Sequence, residues 1–226
     1  MKSIRRLDFL SMVLVCFMLT GCGNDPGSEN QRVSMGEDSP QPSHSQSQQT
    51  SSPSSSMNVE ALFEETGIYP TKRETYQDGQ TVVTLNGQLV VKKIQISDAP
   101  NAIVEWPVVP GDQGDKNVIW FENFDLKKAL DQALVTNRSF PKKKTQLEIT
   151  KIRANPYESG SLRGFMDITF NEAITANGVK LMRTDGEYWI AWPSVKTDDG
   201  NYEDLLGASS KLKKRLIEHG RDEMGL

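Results

Sequence analysis

Tyr188-Trp189-Ile190-Ala191-Trp192-Pro193 reads as an apolar strand brought to an end by proline, which cannot donate to a sheet ladder. An echo stands upstream at Ile103-Val104-Glu105-Trp106-Pro107. Working back from each Trp-Pro step, Gly178-Val179-Lys180-Leu181 answers to Val90-Val91-Lys92-Lys93-Ile94-Gln95-Ile96, and Thr169-Phe170-Asn171 to Thr84-Leu85-Asn86. The offset is 85 residues at Leu85/Phe170 and 86 at Trp106/Trp192, so one insertion reconciles the two stretches. They read as an internal duplication.

Each copy spells a small antiparallel sheet followed by a helix. In the first, Thr81 to Leu85 and Gln88 to Ile96 flank Asn86-Gly87, a strong hairpin signal because both residues tolerate positive φ. Ala102 to Trp106 and Val118 to Phe121 are further strands, and Leu126, Ala129, Leu130, Ala133 and Leu134 recur at helical spacing. In the second, strands are expected at Leu147 to Ala154, Leu162 to Phe170, Ala173 to Met182 and Tyr188 to Trp192, with turns at Asp185-Gly186 and Asp199-Gly200-Asn201. A last helix from Ser209 to His219 buries Leu212, Leu216 and Ile217, with Ser209 or Ser210 as cap and Gly220 as stop. The tryptophans are expected to pack on the helices. The fold class is therefore α+β: two tandem small antiparallel sheets, each closed by a C-terminal helix, over residues 58–140 and 141–226. Packed as an intramolecular pseudo-dimer, the copies would cover each other's open edges, which are otherwise a liability.

Ahead of the copies the chemistry changes. Lys2, Arg5 and Arg6 precede an apolar run from Phe9 to Leu19, too short to span a bilayer but suited to a signal-peptide core. Leu19-Thr20-Gly21-Cys22 then reads as a lipoprotein signal: the small pair admits a peptidase, and the Cys22 thiol can take a thioether lipid. Residues 1–21 are thus expected to be removed and Cys22 to be lipidated. The plainer alternative is a secretory signal with an incidental cysteine. Residues 22–57 are crowded with Ser, Gln and Pro, bury too little to offset their ordering entropy, and read as a disordered tether. Such a chain spans roughly 30 Å. His44 lies within it.

The mature chain would keep 23 Lys and Arg against 29 Asp and Glu, a net charge of −6. That balance argues against a general nucleic-acid binder, whose affinity rests on neutralising phosphates. Cys16 leaves with the signal and Cys22 carries lipid, so no intramolecular disulfide is expected and stability must come from a packed core.

The second copy, from Leu147 to about Arg221, resembles the stage V sporulation protein G (SpoVG) family of septation regulators. The resemblance runs through Leu147-Glu148-Ile149-Thr150-Lys151-Ile152-Arg153, Gly164-Phe165-Met166-Asp167-Ile168-Thr169-Phe170-Asn171 and Val179-Lys180-Leu181-Met182, and is sharpest at Tyr188 to Ser194. Asp199-Gly200-Asn201-Tyr202-Glu203-Asp204-Leu205 then leads into a basic helix. The resemblance implies a sheet-plus-helix domain that dimerises through its strands and acts in septation or sporulation control. It also implies nucleic-acid binding near the closing helix, at Lys211, Lys213, Lys214 and Arg215. The family's polar-proline segment before that helix is replaced here by Leu206-Gly207-Ala208-Ser209. Relatives are single cytosolic domains, whereas this chain is duplicated, acidic and reads as exported.

No constellation for catalysis stands out. His219 is the sole histidine after His44 and is expected at a helix end, where positive charge suits the dipole. Asp198, Asp199, Glu203 and Asp204 gather around Gly200 without the alternating spacing of a calcium loop. No enzyme, metal or cofactor is expected. Two functions remain. One is a lipid-anchored, extracytoplasmic binding module, monomeric, acting on an envelope protein or ligand and tied to division or sporulation septation. The other is a nucleic-acid-binding regulator, supported by the resemblance and by Lys211, Lys213, Lys214 and Arg215. Glu218, Asp222 and Glu223 offset those cations, and the bland reading of the run is a solvated helix face.

Overall fold

Asn58 accepts from the Ala61 amide and opens α1 (Val59–Thr66), and Gly67, at φ 64°, ends it. The computed structural model describes residues 57–97, 102–138 and 145–226, all within one compact unit from Pro53 to Leu226. The chain is α+β, with three helices and mainly antiparallel sheets among the described residues. Residues 1–56, with Cys16, Cys22 and the expected tether, lie outside them.

After α1 come β1 (Pro70–Thr75), β2 (Thr81–Leu85) and β3 (Leu89–Ile96), then the short β4 (Val104–Glu105), β5 (Val108–Val109), β6 (Lys116–Asn117) and β7 (Ile119–Phe121), and α2 (Phe124–Val135). The same order then repeats. It runs β8 (Ile149–Ser159), β9 (Leu162–Phe170), β10 (Ile174–Thr184), β11 (Glu187–Ala191), β12 (Ser194–Lys196), β13 (Tyr202–Asp204), β14 (Leu206–Ala208) and α3 (Ser210–Met224). The hairpin expected at Asn86-Gly87 is present, with φ of 52° and 66°, and Asn171-Glu172 makes the corresponding turn at 51° and 56°.

The sheets are not each built from their own stretch. One runs β1-β2-β3-β14, and the other runs β11-β10-β9-β8 with β7 also paired to β10. Each half therefore lends its last strand to the other's sheet. The third, fourth and fifth residues after the turn asparagine face the last, middle and first residues of the lent strand in both cases. The pairs are Leu89, Val90 and Val91 with Ala208, Gly207 and Leu206, and Ile174, Thr175 and Ala176 with Phe121, Trp120 and Ile119. The flanking amides agree too: Lys92 N–H donates to Leu205 O and Asn177 N–H to Val118 O, both at 2.9 Å.

The turn asparagines form a reciprocal seam. Asn86 accepts from Tyr69 N–H (2.9 Å) while its amide reaches across to Thr145 O (3.1 Å) and Thr145 Oγ1 (2.8 Å). Asn171 accepts from Glu148 N–H (2.8 Å) and its amide reaches Thr66 O (3.1 Å). Such bonds satisfy backbone groups that burial would otherwise strand.

Beneath this frame the inward faces of β2, β3, β9 and β10 join the buried faces of α2 and α3 in one continuous core including Leu85, Leu89, Ile94, Leu130, Phe170 and Leu181. Trp106 is buried as expected, its indole N–H donating to Asp131 on α2 at 2.8 Å, and Trp192 is also buried. Trp120 and Trp189, outside the Trp-Pro steps, are exposed.

Several details differ from the sequence reading, among them α1, β1 and β14, which it did not contain. The last helix does not stop at Gly220 but runs to Met224, with Gly225 in the left-handed C-cap at φ 69°. Gly220 is buried instead, and a Cβ there would meet the Met166 sulfur, so the glycine permits close packing rather than termination. His219 consequently sits inside the helix, away from its end. The strand expected from Ala102 to Trp106 shrinks to Val104–Glu105 because β4 pairs only the end of β3.

Candidate functional site

The candidate basic residues lie on α3, whose Ser209 cap accepts from Leu212 N–H at 3.3 Å. Leu212, Leu216 and Gly220 occupy its inner face, so residues between them project outward. The four cations do not act as one cluster. Arg215 Nη1 donates to Leu147 O at 2.8 Å and ties the helix to the chain entering β8, a structural use of its charge. Lys211 Nζ reaches Gln146 Oε1 at 3.4 Å, and Lys214 pairs with Glu218 one turn on at 3.9 Å. Lys211, Lys213 and Lys214 are all exposed, where such contacts contribute little.

Lys213 and Lys214 do border an open groove of about 890 Å³ between α3 and the β10–β11 hairpin. Its far wall supplies cations that the sequence reading missed. Arg183 and Arg221 flank the Tyr188 ring at 5.2 and 4.6 Å from its centroid, a cation–π arrangement that fixes both guanidinium groups. Arg221 stands seven residues after Lys214, so helical spacing could have placed it on the same face; Arg183 joins only through the hairpin. Glu187 and Glu218 line the same groove and temper its charge.

The acidic turn is a folded device. Thr197 Oγ1 donates to the Asp199 carboxylate, and Asn201 donates through both its backbone N–H (3.3 Å) and its side-chain amide (2.7 Å). The Thr197 hydroxyl first, then the Asn201 donors, hold the Asp199 carboxyl below its ordinary value. Among the described residues there is no group of three or more His, Cys, Asp or Glu side chains arranged to hold a metal ion. Nor is any described helix long and apolar enough to cross a membrane. Cys22 lies outside the described residues.

Residues 147–219 match the SpoVG family model. Similar proteins named as septation proteins SpoVG occur in Onion yellows phytoplasma (31% identical over 77 residues, 34% of this chain and 74% of the relative) and in Clostridium beijerinckii (27% over 78 residues, 32% and 86%). Another is found in Archaeoglobus fulgidus (26% over 73 residues, 31% and 84%). The matched span covers β8 through β14 and most of α3, and includes the strand β14 that crosses to the other sheet.

Proposed function

This chain belongs to the SpoVG family, and from that premise we propose that it is a lipid-anchored, extracytoplasmic interaction module carrying two copies of the family domain as an intramolecular pseudo-dimer. The observation that carries the proposal is the reciprocal loan of β7 and β14 in matching register. A strand exchanged both ways is what two subunits joined about a twofold axis would share, because an isologous contact repeats each interaction. The first copy, over 58–140, supplies what a second subunit would otherwise bring. The anchor rests on Leu19-Thr20-Gly21-Cys22, and the tether of 22–57 gives the module reach from a membrane surface. The acidic balance suits a protein partner or ligand in the envelope, with a link to septation following from the family.

Fractionation of cells with lipid labelling tests the anchor. The native chain is expected to carry lipid and sediment with membranes, and Cys22→Ala to do neither; two soluble, unlabelled proteins would overturn it. Sedimentation tests the pseudo-dimer. Residues 57–226 are expected to be monomeric, whereas 141–226 alone, with β10 deprived of β7 and β14 of β3, is expected to dimerise or aggregate. A stable monomer of 141–226 would refute it.

A second reading, a nucleic-acid-binding regulator, draws support from Arg183, Lys213, Lys214 and Arg221 around one groove. It requires binding that weakens steeply with salt and with Lys213→Ala/Lys214→Ala.

A further inference from the structure

The two halves differ where their short hairpins meet the sheets, and the difference leaves one cleft open. In the first half, Lys93 occupies the bulge of β3 in a left-handed conformation (φ 57°). Its ammonium pairs with Glu203 on β13 at 2.9 Å, filling the corner where β13 and β14 approach. In the second half the corresponding bulge residue, seven after the turn asparagine, is Gly178 (φ 69°), and the position matching Glu203 is Lys116 on β6. The bridge cannot form there. A cleft of about 560 Å³ remains, within the size range of small-molecule sites.

Its walls are chemically specific. Trp120, central in β7 where the lent strand β14 has Gly207, presents an indole that is 52% exposed. Asp167 accepts from Gly178 N–H through one oxygen (3.0 Å), and its other oxygen has no hydrogen bond among the described residues. Lys116 and Lys180 line the cleft, and neither has an ion pair among the described residues. Buried Pro193 also lines the cleft.

We propose that this cleft binds an acidic saccharide. The C–H face of a pyranose packs on an indole plane while its rim hydroxyls require donors and acceptors at the edge, here Asp167 and Asn117. Lys116 and Lys180, without ion pairs among the described residues, select a carboxylate on the sugar through charge-assisted hydrogen bonds. The proposal concerns the cleft alone and stands whether or not Cys22 is lipidated.

Calorimetric titration of the full chain with a glucuronate-containing disaccharide, and with its carboxyl-reduced counterpart, tests it. The acid is expected to bind, and the neutral sugar about tenfold more weakly or worse. Trp120→Ala is expected to weaken binding of the acid by a similar factor. Gly178→Lys combined with Lys116→Glu installs the bridge of the other half and is expected to abolish binding. A Cβ at Gly178 has no neighbour within 4 Å, but a lysine there must hold the left-handed backbone (φ 69°) as Lys93 does, so the unfolding midpoint is expected to fall without loss of the folded state. If the double variant fails to fold, Trp120→Ala decides alone. Absence of binding, equal binding of the neutral sugar, equal competition by inorganic phosphate, or binding indifferent to Trp120→Ala would each overturn the proposal. So would an acidic peptide occupying the cleft in the sugar's place.

Discussion

Replacing Asn86 strikes the seam between the halves at its most enclosed point. The residue is 1% exposed, accepts from Tyr69 N–H and reaches Gly67 O at 2.7 Å as well as both oxygens of Thr145. Asn86→Gly keeps the backbone conformation at φ 52° available but removes every one of these bonds. Tyr69 N–H is stranded in a buried position, and the Gly67 and Thr145 acceptors lose their donor. With each buried unsatisfied group costing about 1–3 kcal/mol, and water reaching the partly exposed carbonyls, the loss should be about 3 kcal/mol. Asn86→Ala adds a Cβ in a left-handed conformation and should cost about 1 kcal/mol more. Either value is a large part of the whole stability of a domain, typically about 5–15 kcal/mol. Equilibrium unfolding in urea reads it as a fall in midpoint at constant slope. The reasoning fails if Asn86→Gly costs under about 1 kcal/mol, or if glycine and alanine prove equal. Asn171 donates to Thr66 O, next to the Gly67 carbonyl that Asn86 uses, so a double-mutant cycle should give a coupling above about 0.5 kcal/mol.

Other outcomes follow from single contacts. Gly220→Ala should lower the melting temperature despite alanine's better helix propensity, because overpacking against buried Met166 at about 1–3 kcal/mol exceeds a gain of about 1 kcal/mol; a rise would contradict the packing argument. Arg215→Ala should cost about 1 kcal/mol through the lost bond to Leu147 O, while Lys213→Ala should stay within about 0.5 kcal/mol in the same urea assay. The lowered Asp199 pKa means that its carboxylate supports the β12–β13 turn above the ordinary carboxylate value and loses that role as pH falls through the lowered one. The protection of the Asn201 amide, its exchange measured against the unstructured rate at the same pH, should therefore fall on acidification in the native chain. In Asp199→Ala that protection should be low throughout and show no such step.

Features that announce themselves in a few adjacent residues were legible. Asn86-Gly87 turns where its chemistry says, the spacing of Leu126, Ala129, Leu130, Ala133 and Leu134 gives α2, and Ser209 caps α3. What depends on a distant partner was not. Leu206-Gly207-Ala208 has no strand character of its own and becomes β14 only because β3 offers it an edge. Pro70-Thr71-Lys72-Arg73-Glu74-Thr75 lacks apolar alternation because β1 is an edge strand with a single buried residue, Pro70. Asn58 and Gly67 did signal both ends of α1, but eight residues carry too few periods to stand out. Gly220 reads as a stop because glycine usually ends helices; the Met166 sulfur that requires it lies in another element. Of the candidate site residues, the lysines are where helical spacing puts them. Arg215 proves to be occupied by a carbonyl, and Arg183 comes to the groove only through the fold.

The crossing of β7 and β14 within one polypeptide also changes how the structure responds to dilution. Where two separate chains share strands, folding and association are one equilibrium, and stability falls as protomer concentration falls. On the pseudo-dimer proposal, the dozen or so residues between α2 and β8 would hold the two halves together at an effective concentration of order millimolar whatever the number of molecules in the cell. A protein present in a handful of copies would then stay assembled, and its abundance could be set by need rather than by the mass action that keeps a dimer whole.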